Sequence, residues 1–159
     1  MIRVLLIEDN LADARLVSAI LDKHSFEFSL CTCSTLESGM QELSSSGADI
    51  VLLDLTLPDS SGLETVTTLR SKFPKIPIIV YTVLNDDATG VEALKLGAQD
   101  YIAKDVLVSS GLAKTIKFAL ERSRLIKAEA ALDTVNEDFS ITMKKLQATI
   151  AEIKGIHKE

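Results

Sequence analysis

Tryptophan is missing from the chain, proline occurs three times, and cysteine and histidine occur twice each. So few cysteines exclude a disulfide framework. Cys31 and Cys33 lie two residues apart, which on a strand points both to one face and prevents an easy bridge; they read as small core residues of a reducing compartment. His24 near a helix end and His157 near the C-terminus lack the neighbours a metal site or a general base would need. Aromatic residues make up 4% of the chain, so the core has to be built from Leu, Ile, Val and Ala. No apolar run is long enough to span a bilayer: the opening Arg3-Val4-Leu5-Leu6-Ile7 is far too short and has no leader pattern, which predicts a cytoplasmic protein without a membrane segment. An excess of basic charge is also absent. Residues 1–105 carry 8 basic and 16 acidic side chains and residues 106–159 carry 9 and 7, which together make the 17 and 23 of the whole chain. Neither half could track a phosphate backbone, so direct nucleic-acid binding is not expected.

What is present is a chain of 159 residues, 47% hydrophobic and 25% charged, enough for one domain with an appendage. Short apolar runs at Val4–Ile7, Phe26–Cys31, Ile50–Leu53, Ile76–Tyr81 and Tyr101–Ala103 alternate with helix-period segments. The helical segments are Leu11–Lys23, Thr35–Ser45, Leu63–Lys72, Asp87–Leu96 and a long stretch from about Ser109. Ser34 with Glu37 three residues on predicts a capping box, and Gly97 a helix stop. This alternation predicts an α/β fold, a doubly wound five-stranded parallel sheet with helices on both faces. In such sheets polar sites gather beyond the carboxyl ends of the strands.

At those ends stand Glu8 and Asp9, then Asp54, then Thr82, with Lys104 after the last strand. Three carboxylates meeting at one edge repel unless a cation lies between them, and Mg²⁺ suits an all-oxygen donor set. A carboxylate beside Mg²⁺ can attack a phosphoryl group in line and form an acyl phosphate. Asp54, at the end of the central strand, is the best nucleophile, which leaves Glu8 and Asp9 for the metal. Taken singly, each residue has a plainer reading: a helix cap for Glu8, Asp9 or Asp54, a helix start for Thr82, a surface lysine for Lys104. Their joint occurrence, in order, is what outweighs those readings.

The pieces Leu5-Leu6-Ile7-Glu8-Asp9, Leu53-Asp54-Leu55-Thr56-Leu57-Pro58 with Gly62, Ile79-Val80-Tyr81-Thr82 and Gly97-Ala98-Gln99-Asp100-Tyr101-Ile102-Ala103-Lys104 resemble the response-regulator receiver domain of two-component signalling. The resemblance covers residue 2 to about 122, so 1–122 would be the receiver domain and 123–159 a helical extension. It implies a flavodoxin-like strand order 2-1-3-4-5 and phosphoryl transfer to Asp54 from a histidine kinase or phosphotransfer protein. It further implies Mg²⁺ held by Glu8, Asp9, Asp54 and the Thr56 backbone carbonyl, with Thr82 and Lys104 on the phosphoryl group. Thr82 and Tyr101 would be the switch pair that remodels the face formed by helix four, strand five and helix five. Such a protein is not an enzyme beyond its own phosphorylation and slow autodephosphorylation. Two positions depart from the pattern. Asp105 replaces the usual proline, which predicts a trans peptide and a changed reach for Lys104. Val83 replaces a very small residue, which predicts a narrower approach and slower phosphoryl entry or hydrolysis.

From Phe118 onward, Phe118, Leu125, Leu132, Phe139, Leu146 and Ile153 recur every seven residues, with Ala128, Val135, Thr142 and Thr149 at d and Met143 and Ile150 at e. This heptad predicts a coiled-coil homodimer, or a linker helix to an output module or downstream protein. A phosphorylation-independent scaffold for dimerisation or docking is the alternative function. An aspartyl-phosphate hydrolase ranks last, because Thr56 stands where that class has a second aspartate.

Overall fold

The computed structural model describes residues 1–24, 27–83, 86–106 and 111–156. Phe26, Ser109 and His157, used above, lie outside the described residues. The elements in order are β1 (Ile2–Ile7), α1 (Leu11–Asp22), β2 (Phe28–Cys33), α2 (Leu36–Ser45), β3 (Ile50–Leu53), β4 (Thr56–Leu57), β5 (Ser60–Ser61), α3 (Glu64–Lys72), β6 (Ile78–Thr82), α4 (Asp87–Lys95), β7 (Asp100–Ala103), a 3-10 turn (Lys104–Val106) and α5 (Gly111–Ile156).

Five strands form one parallel sheet in the order β2-β1-β3-β6-β7. β4 and β5 make a separate antiparallel ribbon. Without that ribbon the order is the expected 2-1-3-4-5. Side chains alternate across the sheet, so β1 feeds two cores. Val4 and Leu6 pack with Val17 and Leu21 of α1 and with Leu112 and Ile116 of α5. Leu5 and Ile7 pack with Leu36 and Leu43 of α2, Val66 and Leu69 of α3 and Ala93 of α4. Each such buried side chain contributes roughly 1.5–3 kcal/mol. Stability therefore resides in the layers, which frees the strand ends for polar groups.

Local chemistry sets the joints. Asn10 caps α1, its side chain accepting from the N–H groups of Ala12 and Asp13. The capping box of α2 is Thr35 with Ser38, not Ser34 with Glu37. Thr35 has the extended backbone a cap needs (φ −137°, ψ 156°). The Asp59 carboxylate takes the Leu36 and Glu37 N–H groups at 2.9 Å each. Gly97 ends α4 at φ +101°, a left-handed conformation that favours glycine. Against it lies Arg70, whose Nη1 donates to the carbonyls of Phe73 (3.4 Å), Pro74 (2.9 Å) and Ile76 (2.7 Å) and whose Nη2 donates to that of Gly97 (2.6 Å).

The second strand begins two residues later than the apolar run suggested and lies at the sheet edge. Cys31 is accordingly exposed and not a core residue, whereas Cys33 is half-buried against the core that includes Leu5 and Ile7, both as free thiols. An edge strand has sheet on one side only, and its side chains are correspondingly less covered.

The chain divides into two compact units, Met1–Glu121 and Arg122–Glu159. In the first, the opening turns of α5 supply Leu112, Ala113, Ile116, Ala119 and Leu120 to the core. In the second, every residue from Arg124 to Gly155 is exposed, and Leu125, Leu132, Phe139, Leu146 and Ile153 are each more than half exposed. No helix among the described residues is long and apolar enough to cross a membrane.

Candidate functional site

Strand register assembles the site. Ile7 pairs with Leu53, so the next residues, Glu8 and Asp54, leave the sheet side by side. Their backbones stay tied to the sheet, Asp54 N–H donating to Ile7 O at 3.0 Å and Glu8 N–H to Cys33 O at 2.8 Å. Thr82 pairs with Ala103, which brings Lys104 to the same edge.

Glu8 and Asp54 are only 2% and 3% exposed, whereas Asp9 is open to solvent. One carboxylate oxygen of each lies within 4.8 Å of the other two. The Lys104 ammonium reaches Glu8 Oε2 at 2.5 Å, Asp13 Oδ2 at 2.9 Å and Asp54 Oδ2 at 3.0 Å. It also lies 5.1 Å from the centroid of the buried Tyr81 ring. Asp105 does not impair this reach, and the Lys104–Asp105 peptide is trans. Thr82 is fully buried. The Thr56 N–H donates to Asp54 Oδ1 at 3.3 Å. Tyr101 lies against α4, where a Cβ on Gly90 would sit 3.4 Å from its ring, and its hydroxyl is buried. Val83 is 62% exposed.

The electrostatics follow from burial. Burial pushes the Glu8 carboxyl up, with a further push from the Asp54 charge that hydrogen bonds from Lys104 and the Asn10 N–H only partly offset. Burial alone would lower the Lys104 ammonium, but hydrogen bonds to Glu8, Asp13 and Asp54 outweigh it and hold the pKa above the ordinary lysine value. The Tyr81 phenol is pushed up to about 12 by burial and then by the charge of Asp13.

Three carboxylates thus share one ammonium, and Asp9 adds a fourth beside Glu8 and Asp54. The excess of negative charge and the hard oxygen donors of Glu8, Asp9 and Asp54 fit a divalent cation such as Mg²⁺.

The structure brings together Glu8, Asp9, Asp54 and Lys104, with Thr82 at the end of the neighbouring strand. Asp13 and Tyr81 are not among the site residues expected from the sequence. A signal for Asp13 exists: with Val17, Ile20 and Leu21 it heads the inward stripe of α1 at spacings of four, seven and eight.

Residues 4–117 match the profile of the response regulator receiver domain. The chain belongs to that family. The chain is 30% identical over 158 residues to a protein of Halalkalibacterium halodurans named "Probable C4-dicarboxylate response regulator DctR", covering 99% of this chain and 68% of that one. It is 37% identical over 101 residues to the swarming motility regulation protein RssB of Serratia marcescens, covering 64% and 45%. The chain therefore spans less than half of RssB. Among solved structures, the BeF3-activated N-terminal receiver domain of Klebsiella pneumoniae RstA superposes with TM-score 0.67 at 26% identity, covering 74% of this chain and 97% of that one. A CheY-like receiver domain protein of Methanospirillum hungatei shares the fold at TM-score 0.68 and 23% identity, covering 78% and 97%. The receiver is thus a component of two-component phosphorelay signalling.

Proposed function

We propose that the receiver accepts a phosphoryl group on Asp54 from a histidine kinase or a histidine phosphotransfer protein in the cytoplasm. The observation that carries this reading is a buried Asp54 with a carboxylate oxygen within 4.8 Å of oxygens of Glu8 and Asp9 and with its Oδ2 3.0 Å from Lys104. One Asp54 oxygen forms the bond to phosphorus while the phosphorus–nitrogen bond breaks and its electron pair leaves with the donor imidazole. Glu8, Asp9, Asp54 and the Thr56 backbone carbonyl would hold Mg²⁺, which when bound neutralises charge on the phosphoryl oxygens. Lys104 supplies the second positive charge, and Thr82 donates a hydroxyl hydrogen bond to the phosphoryl group. Thr82 and Tyr101 then act as the switch pair that remodels the face of α4, β7 and α5, a two-state packing equilibrium biased by one dianionic group. The chain acts on no other substrate; its own phosphorylation and slow autodephosphorylation are its whole chemistry. Incubation with acetyl phosphate and Mg²⁺ adds one phosphoryl group to the wild type by mass spectrometry and none to Asp54→Asn. A wild type that stays unlabelled would assign the chain to a phosphorylation-independent docking scaffold.

The output runs through α5. Its exposed heptad side chains have the spacing a second copy of this chain would bury as a coiled coil, and a downstream protein or output module would read the change. Light scattering is expected to give a dimer for the wild type and a monomer for Leu132→Asp combined with Phe139→Asp. A monomeric wild type removes the homodimer. Repeating the measurement with a phosphoryl mimic shows whether the switch controls the pairing.

A further inference from the structure

Among the described residues, Lys104 has three carboxylate partners for its three ammonium protons. Two of these, Glu8 and Asp54, have other duties in the proposed function, one toward the metal and one as the acceptor that loses its charge on acylation. Asp13 has neither. It stands in the first turn of α1, where Asn10 already serves as the cap. Its Oδ2 is 2.9 Å from Lys104 Nζ, its side chain is 27% exposed, and the Lys104 side chain is 8% exposed. The ring of Tyr81 also lies beside the ammonium.

We propose that Asp13 is a positioning residue for phosphoryl transfer, the one carboxylate that keeps Lys104 aimed at the acceptor when Glu8 and Asp54 turn to the metal and the phosphoryl group. The role rests on the function proposed above. A flexible lysine stem loses orientation unless its head is held, and a mispositioned charge stabilises the transition state poorly. The Tyr81 ring also borders the ammonium as an aromatic face, a contact that asks nothing of the hydroxyl. The plainer role for Asp13 is to favour the α1 N-terminus through the helix dipole. That role would not depend on Lys104, so the two can be separated.

The test is the rate of Asp54 phosphorylation by acetyl phosphate with Mg²⁺, followed by intact mass, on variants first checked for wild-type circular dichroism. Asp13→Asn is expected to slow the rate about tenfold, the lower end of what outer carboxylates supporting an active-site group contribute. In a Lys104→Gln background the same change is expected to alter the rate by less than about twofold, since coupled residues are non-additive. Asp13→Glu, which keeps the carboxylate, is expected to recover most of the wild-type rate. An Asp13→Asn rate within about twofold of wild type, or an equal loss with and without Lys104, overturns the role. A wild type that takes no label at all removes the proposed function itself, and this role with it.

Discussion

Arg70→Ala is expected to destabilise the receiver by about 3 kcal/mol, because a hydrogen bond to a charged donor contributes about 1.5–3 kcal/mol and the half-buried Phe73 and Ile76 carbonyls left bare add to the loss. The guanidinium joins carbonyls at the end of α3, in the approach to β6 and at the end of α4. These are neutral partners, so the loss should be nearly the same at low and high salt, unlike that of an exposed ion pair. Burial holds the Arg70 pKa below its ordinary value, yet the group remains charged at any usable pH. Arg70→Lys is expected to recover only part of the loss, since one ammonium cannot span Gly97 and the three carbonyls of the preceding loop at once. Urea denaturation with the slope held constant measures the effect. A loss under about 1 kcal/mol would mean that water replaces the guanidinium without cost.

Lys104→Met is expected to cost about 3–5 kcal/mol at neutral pH, as removing one member of a buried ion pair generally does. It leaves Glu8 and Asp54 buried together with no compensating charge. The pH dependence has a definite sign. Burial raises the Glu8 pKa, so its charged form costs stability at neutral pH, and that cost is relieved as pH falls through the raised value. Removing Lys104 takes away the hydrogen bond and charge that hold Glu8 down, which enlarges the penalty. The deficit of the variant is therefore widest at neutral pH and narrows in mildly acidic buffer. The pairing energy of Lys104 itself is constant across that window, being fully present below the ordinary lysine pKa and lost only above the raised one. Paired urea melts at the two pH values check this. A deficit that grows on acidification would mean that carboxylate repulsion is not the cause.

The parts of this receiver legible in its sequence are those written in period and order. Continuous apolar runs marked β1, β3 and β6 because parallel strands covered on both faces cannot alternate. The strand-end positions of Glu8, Asp9, Asp54, Thr82 and Lys104 followed, since register alone carries them to one edge. Features that depend on side-chain reach across the fold were not legible. Arg70 reads as an ordinary basic residue at a helix C-terminus until α4 and the loop after α3 are placed around it. Asp13 reads as a helix-start acid until Lys104, 91 residues away, extends back to it. The capping of α2 was misplaced by one residue because its first N–H groups go to Asp59, more than twenty residues downstream. Cys31 reads as a core residue because an apolar run does not reveal whether its strand lies at the centre or the edge.

That Asp59 contact bears on how the proposed metal site is prepared. The segment after β3 is fastened twice near its start, by Thr56 N–H to Asp54 and by Gly62 N–H to the Leu55 carbonyl at 2.7 Å. At its tip Asp59 fastens it to α2, and those hydrogen bonds hold the Asp59 carboxyl below its ordinary pKa although burial opposes them. A short turn held at three points has lost its conformational freedom during folding. The entropy of ordering the Thr56 carbonyl is thus spent before an ion arrives, and such preorganisation strengthens binding without adding a single ligand.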